Sequence, residues 1–143
     1  MLALLIDFLA MLDKTLVQIR YGEERSEIDQ ILDNINRVID LVEKNRSLAS
    51  LAFMGATDSD RSLQEAVGRF FLRIEKMIAH AVQLGIGQGL LRQVPLEVSA
   101  RIILSSFKDV ILLPLTQGKI SVKKARKLSK QLLEYHMHGL AIP

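Results

Sequence analysis

The 143-residue sequence contains no cysteine, no tryptophan and only three prolines. Without cysteine there can be no disulfide, no thiolate metal ligand and no cysteine nucleophile. Aromatic residues make up only 5% of the chain, and aliphatic residues supply most of its 49% apolar content. Strands favour aromatic and β-branched residues, and sheets need frequent turns, so this composition favours a helical domain.

Long apolar runs are also missing. The longest, Leu2 to Leu12 at the start of the chain, is eleven residues and contains Asp7, whereas a membrane-spanning helix needs about 20 residues. No basic residue precedes this run and no small-residue cleavage site follows it, so it does not resemble a signal peptide. We therefore expect no membrane partner and a cytoplasmic location.

The net charge of +3 is too small to indicate a nucleic-acid partner by itself. Residues 1–60 contain 6 basic and 11 acidic side chains, whereas residues 61–143 contain 13 and 5. Six basic residues fall between Lys119 and Lys130. Such a run could contact phosphates or a membrane surface, but it holds no aromatic anchor. We interpret it as a solvated helix face.

Apolar residues recur at helical spacing in six segments, and no segment alternates in the manner of a strand. The glycine cluster at residues 85–89 is expected to end the fourth helix. Pro114 and Gly118 are expected to end the fifth helix, and Gly139 is expected to end the sixth. The sequence predicts one all-α domain over residues 1–143, a six-helix bundle. Its expected helices are Leu2 to Arg20, a second capped by Ser26, Ser47 to Met54, Ser62 to Leu84, Pro95 to Leu113, and a sixth from Ser121 to about His138.

The fifth predicted helix is apolar on two sides. One face contains Ala100, Leu104 and Phe107, and the opposite face contains Val98 and Ile102. A helix that is apolar on two sides is sandwiched between neighbours. The second face therefore meets another helix of the chain or another subunit.

Catalytic and metal-binding patterns find little support. His136 and His138 are two residues apart, so they point to different sides of a helix, and His80 is isolated. The sequence contains no Glu-x-x-His pair, nucleophile elbow or phosphate-loop lysine motif. We expect no enzyme activity, no metal and no cofactor. An unrecognised enzyme is the least favoured alternative.

The glycines between Gly85 and Gly89 allow two further interpretations. They follow a helix instead of a strand, so a nucleotide loop is less favoured than a helix-ending turn. Residues 81–94 also roughly match helix-turn-helix spacing. The would-be recognition helix would contain Gly87 and Gly89 and stop at Pro95, so it is too short and glycine-rich to hold a groove-reading surface.

The segment from the fourth to the fifth helix resembles a junction of the TetR-like (tetracycline-repressor-like) transcriptional regulators. Gly85, Gly89 and Arg92 fit a G-x-x-x-G-x-x-R pattern, and a P-x-E-x-x-A-R pattern begins at Pro95. Many members have glycine after the position of Asp109, where this chain has valine. The resemblance covers nearly the whole chain and matches helices four to nine of that family's effector-binding and dimerisation domain.

The resemblance implies a domain that binds a small hydrophobic effector and thereby controls DNA binding. In this family, DNA is contacted through a helix-turn-helix domain, and that domain would precede Met1. No other contact with DNA is expected. Either that domain has been removed or the effector domain stands alone. The competing interpretation is a helical interaction or scaffold protein without a ligand.

Two sets of site residues follow from these considerations. Family members form a homodimer by packing their last two helices into a four-helix bundle, which implies an interface of Val98, Ile102, Ser105, Ser106, Leu113, Leu128, Leu132 and His136. Inward-facing Phe and Met residues are either plain core or the lining of an adaptable apolar pocket. We predict a pocket between the first, fourth and fifth helices, lined by Met11, Phe53, Phe70, Ile74, Met77, Phe107 and Ile111.

Overall fold

The structure, a computed structural model, describes residues 2–54 and 61–140. Its helices are α1 Leu2–Thr15, α2 Glu27–Lys44, α3 Arg46–Met54, α4 Arg61–Gly87, α5 Leu96–Phe107, a π-helical turn Lys108–Leu112, α6 Leu113–Thr116, and α7 Val122–Leu140. The π-helical turn joins α5 to α6 without a break, because the residues at both junctions keep right-handed helical dihedrals. No strand occurs among the described residues. The prediction of an all-α bundle of six helical rods is confirmed.

The capping residues predicted from the sequence begin two of these helices. The Ser26 hydroxyl accepts the backbone N–H of Asp29 at 3.2 Å, and Glu27 adds a carboxylate to the first turn of α2. The Ser121 hydroxyl accepts the N–H of Lys124 at 3.1 Å at the start of α7. Each cap satisfies one of the free N–H groups that a helix leaves at its beginning.

The first helix is shorter than predicted, since α1 ends at Thr15 and not at Arg20. Side-chain amides of α2 hold the next five residues in a non-helical path. The Asn34 amide accepts the N–H of Val17 at 2.9 Å and donates to its carbonyl at 2.7 Å. Gln30 pairs with both backbone groups of Arg20 at 2.8 Å. These bonds replace the helical hydrogen bonds that residues 16–20 would otherwise make.

The fourth helix ends within the glycine cluster at residues 85–89, as predicted, although it continues past Leu84 to Gly87. Gly85 lies inside α4 because two neighbours approach its backbone closely. A Cβ atom there would lie 2.6 Å from Cδ1 of Leu91 and 2.7 Å from the Tyr21 hydroxyl. The helix ends at Gly87, and the chain turns at Gly89, which has a φ of +75°. The N–H of Leu90 then donates to the Gly85 carbonyl, as in a Schellman motif.

Pro114 does not end its helix, although the sequence predicted that it would. Proline has no N–H to return to the preceding turn, and its ring crowds the carbonyl four residues earlier. The turn before it widens, so the N–H of Leu113 donates to the carbonyl of Lys108, five residues back. The helix then continues to Thr116 and ends at Gly118, with a φ of +71°, close to the predicted end. Gly139 lies within α7 and does not end it.

The buried core is concentrated at one end of the bundle, which we call the packed end. Its centre is formed by fully buried side chains, among them Phe8, Leu12 and Ile39. The ring of Phe53 lies 6.3 Å from those of Phe8 and Phe70. The packed end comprises Leu5, Phe8, Leu9, Leu12, Val38, Ile39, Val42, Ala49, Ala52, Leu63, Phe70, Ile111, Leu112, Leu115 and Ala125.

Helices α2 and α7 run antiparallel along the bundle. Arg126 pairs with Asp40, and Arg46, which follows α2, lies close to Gly118, which precedes α7. The second half of α7 therefore lies beside the first half of α2. Within the part of the chain that the structure describes, no helix is both long and apolar enough to cross a membrane.

Candidate functional site

The other end of the bundle contains an apolar cavity of about 430 Å³ that is partly open to solvent. Its walls come mainly from the first half of α2, the second half of α4, residues 90–91, the second half of α5, the second half of α7 and the non-helical segment 16–21. Pockets for small molecules range from roughly 300 to 1,000 Å³ and are lined mainly by apolar side chains. We call this part of the bundle the hollow end.

Four rows of aliphatic and aromatic side chains, one from each of four helices, form most of the cavity wall. They follow from the apolar stripes of the helices, which face one another across the cavity. The principal members are Ile28, Ile31 and Ile35 of α2, Ile74, Met77, Ile78 and Ala81 of α4, Ile103 and Phe107 of α5, and Leu132, Leu133 and Met137 of α7.

A hydrogen bond closes one side of the cavity. The Tyr21 hydroxyl donates to the carbonyl of Ala81 at 2.9 Å, which ties the segment after α1 to the end of α4. Burial raises the pKa of this tyrosine, and the negative charge of Glu27 raises it further. The hydroxyl therefore stays protonated and keeps its donor role.

Two other polar side chains of the wall are satisfied within the protein. The Ser129 hydroxyl donates to the carbonyl of Ala125 at 2.7 Å. The Asn34 amide is occupied by the backbone of Val17. Neither group needs a partner inside the cavity.

Gln18 and His136 differ from these residues. The Nε2 atom of each is buried and has no hydrogen-bond partner among the described residues. Both side chains line the cavity. Burial also lowers the pKa of His136, so its imidazole is neutral near pH 7. The cavity wall thus contains two polar atoms that find no hydrogen-bond partner in residues 2–54 and 61–140.

The structure brings together four of the seven residues predicted to line a pocket: Phe70, Ile74, Met77 and Phe107. The other three lie elsewhere. Met11 is 43% exposed on α1, and Phe53 packs among the rings of the packed end. Ile111 belongs to the π-helical turn and is fully buried in the core, outside the cavity wall. Neither α1 nor α3, as the structure bounds them, contributes to the cavity wall; of the predicted first helix, Leu2 to Arg20, only residues after Thr15 line it.

The predicted interface residues of α5 and α6 lie mostly on the surface. Val98 and Ile102 are each 55% exposed, and Ser105 is exposed beside them. Ser106 is half-buried and donates to the carbonyl of Ile102 at 2.8 Å. Leu113 is half-buried as well.

The α7 residues predicted for the interface face inward instead. Leu128 packs on the core, while Leu132 and His136 line the cavity. The α7 side chain exposed near Ile102 is Tyr135, which shares a shallow surface groove with it. The predicted interface requires the apolar stripe of α7 to lie on the outer surface. In the structure, the neighbouring helices α2 and α5 cover that stripe.

The prediction missed the contributions of α2, α7 and segment 16–21 to the cavity. Two sequence signals pointed towards them. The apolar stripe of α2 begins at Ile28, a full turn or more before its first buried residue, Val38. His136 interrupts an otherwise apolar stripe of α7. No local signal marks Gln18, because its burial depends on contacts between distant segments.

Comparison with known proteins adds no family assignment. The chain matches no protein-family model, and a search of curated protein sequences found no significantly similar protein. Within residues 2–54 and 61–140, no three His, Asp or Glu side chains come together as a ligand set for a metal ion.

Proposed function

We propose that the chain is the effector-sensing and dimerisation domain of a TetR-like transcriptional regulator, and that its cavity binds a small hydrophobic ligand. The observation that carries this proposal is the apolar cavity of about 430 Å³ at the hollow end. A concave apolar site with a few polar groups is the usual form of a small-molecule site. The junction at Gly85 to Arg101 supports the family resemblance.

The position of the cavity supports a sensing role. A ligand there would contact α2, α4, α5 and α7 at once, so it would favour the arrangement of these helices that fits it best. Helix α4 lines the cavity with its second half and packs on α1 near its start, and Phe70 belongs to both regions. Binding would thereby bias the position of α1, and of a DNA-binding domain joined to it.

The proposed homodimer would form through the exposed apolar stripe of α5. Val98 and Ile102 are large side chains left open to solvent, and Ser105 between them and α6 permits close approach. Tyr135 adds an aromatic side chain from α7. A two-fold dimer uses the same patch on both subunits, so one stripe of this kind is sufficient.

Ligand binding can be tested with N-phenyl-1-naphthylamine, an uncharged apolar dye that fluoresces when it leaves water. The parent protein is expected to bind it, and Ala81→Phe, which fills the cavity, is expected to bind it at least about tenfold more weakly. Leu72→Phe is the matched control, because Leu72 is on the exposed side of the same helix. Failure of the parent to bind, or equal binding by Ala81→Phe, would support the scaffold interpretation.

The dimer can be tested by light scattering at tens of micromolar protein. We expect twice the monomer mass for the parent and the monomer mass for Ile102→Glu, since a charge buried at the seam would be unpaired. Leu51→Glu on α3 replaces another exposed aliphatic side chain and serves as the control. A monomeric parent protein would contradict the proposed dimer.

A further inference from the structure

The unpaired polar atoms of the cavity carry information about the ligand, provided that the cavity is the ligand site proposed above. The Nε2 atoms of Gln18 and His136 are both buried without a partner. More than about nine in ten buried polar groups in proteins have one, and leaving one unpaired costs the desolvation free energy of that group without compensation. Two such atoms in the wall of one cavity indicate that its occupant completes their hydrogen bonds.

Among the described side chains that line the cavity, Gln18 and His136 are the two with a buried nitrogen that has no hydrogen-bond partner. The hydroxyls of Tyr21 and Ser129 donate to backbone carbonyls, and the Asn34 amide is paired with Val17. The remaining lining is almost entirely aliphatic or aromatic. A ligand therefore needs polar atoms at few positions and a hydrocarbon body elsewhere.

Both residues flank the first half of α2. Gln18 directly follows Val17, which is bonded to Asn34 of α2. His136 lies in the second half of α7, which runs antiparallel beside the first half of α2. Across the cavity, α4 and α5 present apolar side chains such as Met77 and Phe107. Gln18 thus lies beside α2, His136 lies on α7 between α2 and α5, and the α4 side of the wall is apolar.

The charge of the wall restricts the ligand further. Among the described lining residues, Glu27 is the single charged side chain, and it is half-buried at the start of α2. No lysine or arginine lines the cavity. A carboxylate ligand would be buried without a counter-ion and near Glu27, which is costly. The Gln18 amide nitrogen is a donor, so it requires an acceptor atom.

The cavity volume sets the ligand size. A water molecule occupies about 30 Å³ in the liquid, so 430 Å³ corresponds to roughly 14 such volumes. A molecule of about a dozen non-hydrogen atoms fills this space.

We propose that the cavity selects an uncharged molecule that has a hydrocarbon body and one polar end bearing a carbonyl or hydroxyl oxygen. Gln18 donates a hydrogen bond to that oxygen, and His136 forms a second hydrogen bond with the polar end. The hydrocarbon body lies against α4 and α5.

The test is displacement of N-phenyl-1-naphthylamine by four probes of similar length: 2-undecanone, undec-1-ene, decanoate and decylammonium. The ketone is expected to displace the dye at a concentration about five- to tenfold lower than the hydrocarbon, as one hydrogen bond predicts. The two charged probes are expected to compete more weakly than the ketone.

The residues are tested with Gln18→Leu and with Gln18→Met, which is close to glutamine in shape, together with His136→Leu. Both Gln18 variants should lose the preference for the ketone over the hydrocarbon, and His136→Leu should reduce it, while all three variants still bind the dye. Gln131→Leu, an exposed glutamine of α7, is the matched control and should keep the preference. Circular dichroism establishes that each variant is folded.

The outcomes separate this inference from the proposed function. If the parent binds the dye but prefers decanoate or decylammonium, or ranks ketone and hydrocarbon equally, the inference on ligand class is wrong and the cavity site stands. A preference that survives in both Gln18 variants would also overturn it. If the parent binds no dye, the proposed ligand site itself is contradicted.

Discussion

The two ends of the bundle have similar apolar sequences but different interiors. At the packed end, Phe8, Leu12 and Val42 are completely buried and contact one another or their neighbours. At the hollow end, side chains such as Ile74 and Met77 face an open cavity. Helix α4 runs through both ends with the same periodic apolar face. The difference shows that an apolar face determines which side of a helix turns inward, but not whether anything fills the interior.

The physical cause is the arrangement of the two shorter helices. At the packed end, α1 and α3 contact each other and α4, and their side chains fill the space between the longer helices. Neither contributes to the cavity wall. At the hollow end, α2 and α4 are bridged by the non-helical segment 16–21, which closes the side of the cavity without filling it.

The largest expected difference is between truncations at the two ends. Phe8→Ala should lower the free energy of unfolding by about 4 kcal/mol, because it removes a fully buried ring and leaves a void. Met77→Ala should lower it by only about 1 kcal/mol, because that side chain already borders open space. Urea unfolding measures both. Equal losses would contradict the distinction between a packed and a hollow end.

Enlarging an alanine should have opposite effects at the two ends. Ala52 is fully buried at the packed end, so Ala52→Leu should destabilise the protein by about 2 kcal/mol through overpacking. Ala81→Leu places its added carbons in the cavity and should stabilise by about 0.5–1 kcal/mol. The two Tm changes should therefore differ in sign, and a loss of stability in both variants would argue against available space beside Ala81.

Two glycines of α4 provide a further test, because one packs against the cavity wall and the other is open to solvent. Gly85→Ala should destabilise by about 2 kcal/mol, because its Cβ would overlap Leu91 and the Tyr21 hydroxyl. Gly68→Ala meets no atom within 4 Å and should stabilise by about 0.5–1 kcal/mol. Thermal unfolding of the two variants provides the measurement. A neutral Gly85→Ala would show that Tyr21 does not close the cavity in solution.

The smallest expected effect is the pH dependence contributed by His136. Burial lowers its pKa in the folded protein, so the unfolded chain, where a histidine pKa is about 6.5, binds the proton more readily. This contribution to stability is complete above about pH 6.5 and is lost as the pH falls below it.

The measurement is Tm as a function of pH for the parent, His136→Leu and the control His80→Gln, whose side chain is exposed. The fall in Tm on acidification should be shallower in His136→Leu and unchanged in the control. An identical fall in all three proteins would remove His136 as its source.

Local sequence determined the helices and several of their ends. Apolar periodicity placed the six helical segments, and Ser26 and Ser121 cap α2 and α7 as predicted. Gly118 ends its helix with a positive φ. These features could be predicted because they depend on residues within a few positions of one another. The TetR-like resemblance and the homodimer remain predictions of the same sequence patterns.

Only the tertiary structure decided where α1 stops, why α4 continues through Gly85, and where the cavity lies. Each depends on residues far apart in the sequence: Val17 with Asn34, Gly85 with Tyr21, and α7 with α2. The same holds for the site residues, since Phe70, Ile74, Met77 and Phe107 were found from their stripes but Gln18 was not. Periodicity gives the direction of a side chain from its own helix, whereas the space beyond that side chain depends on how several helices pack together.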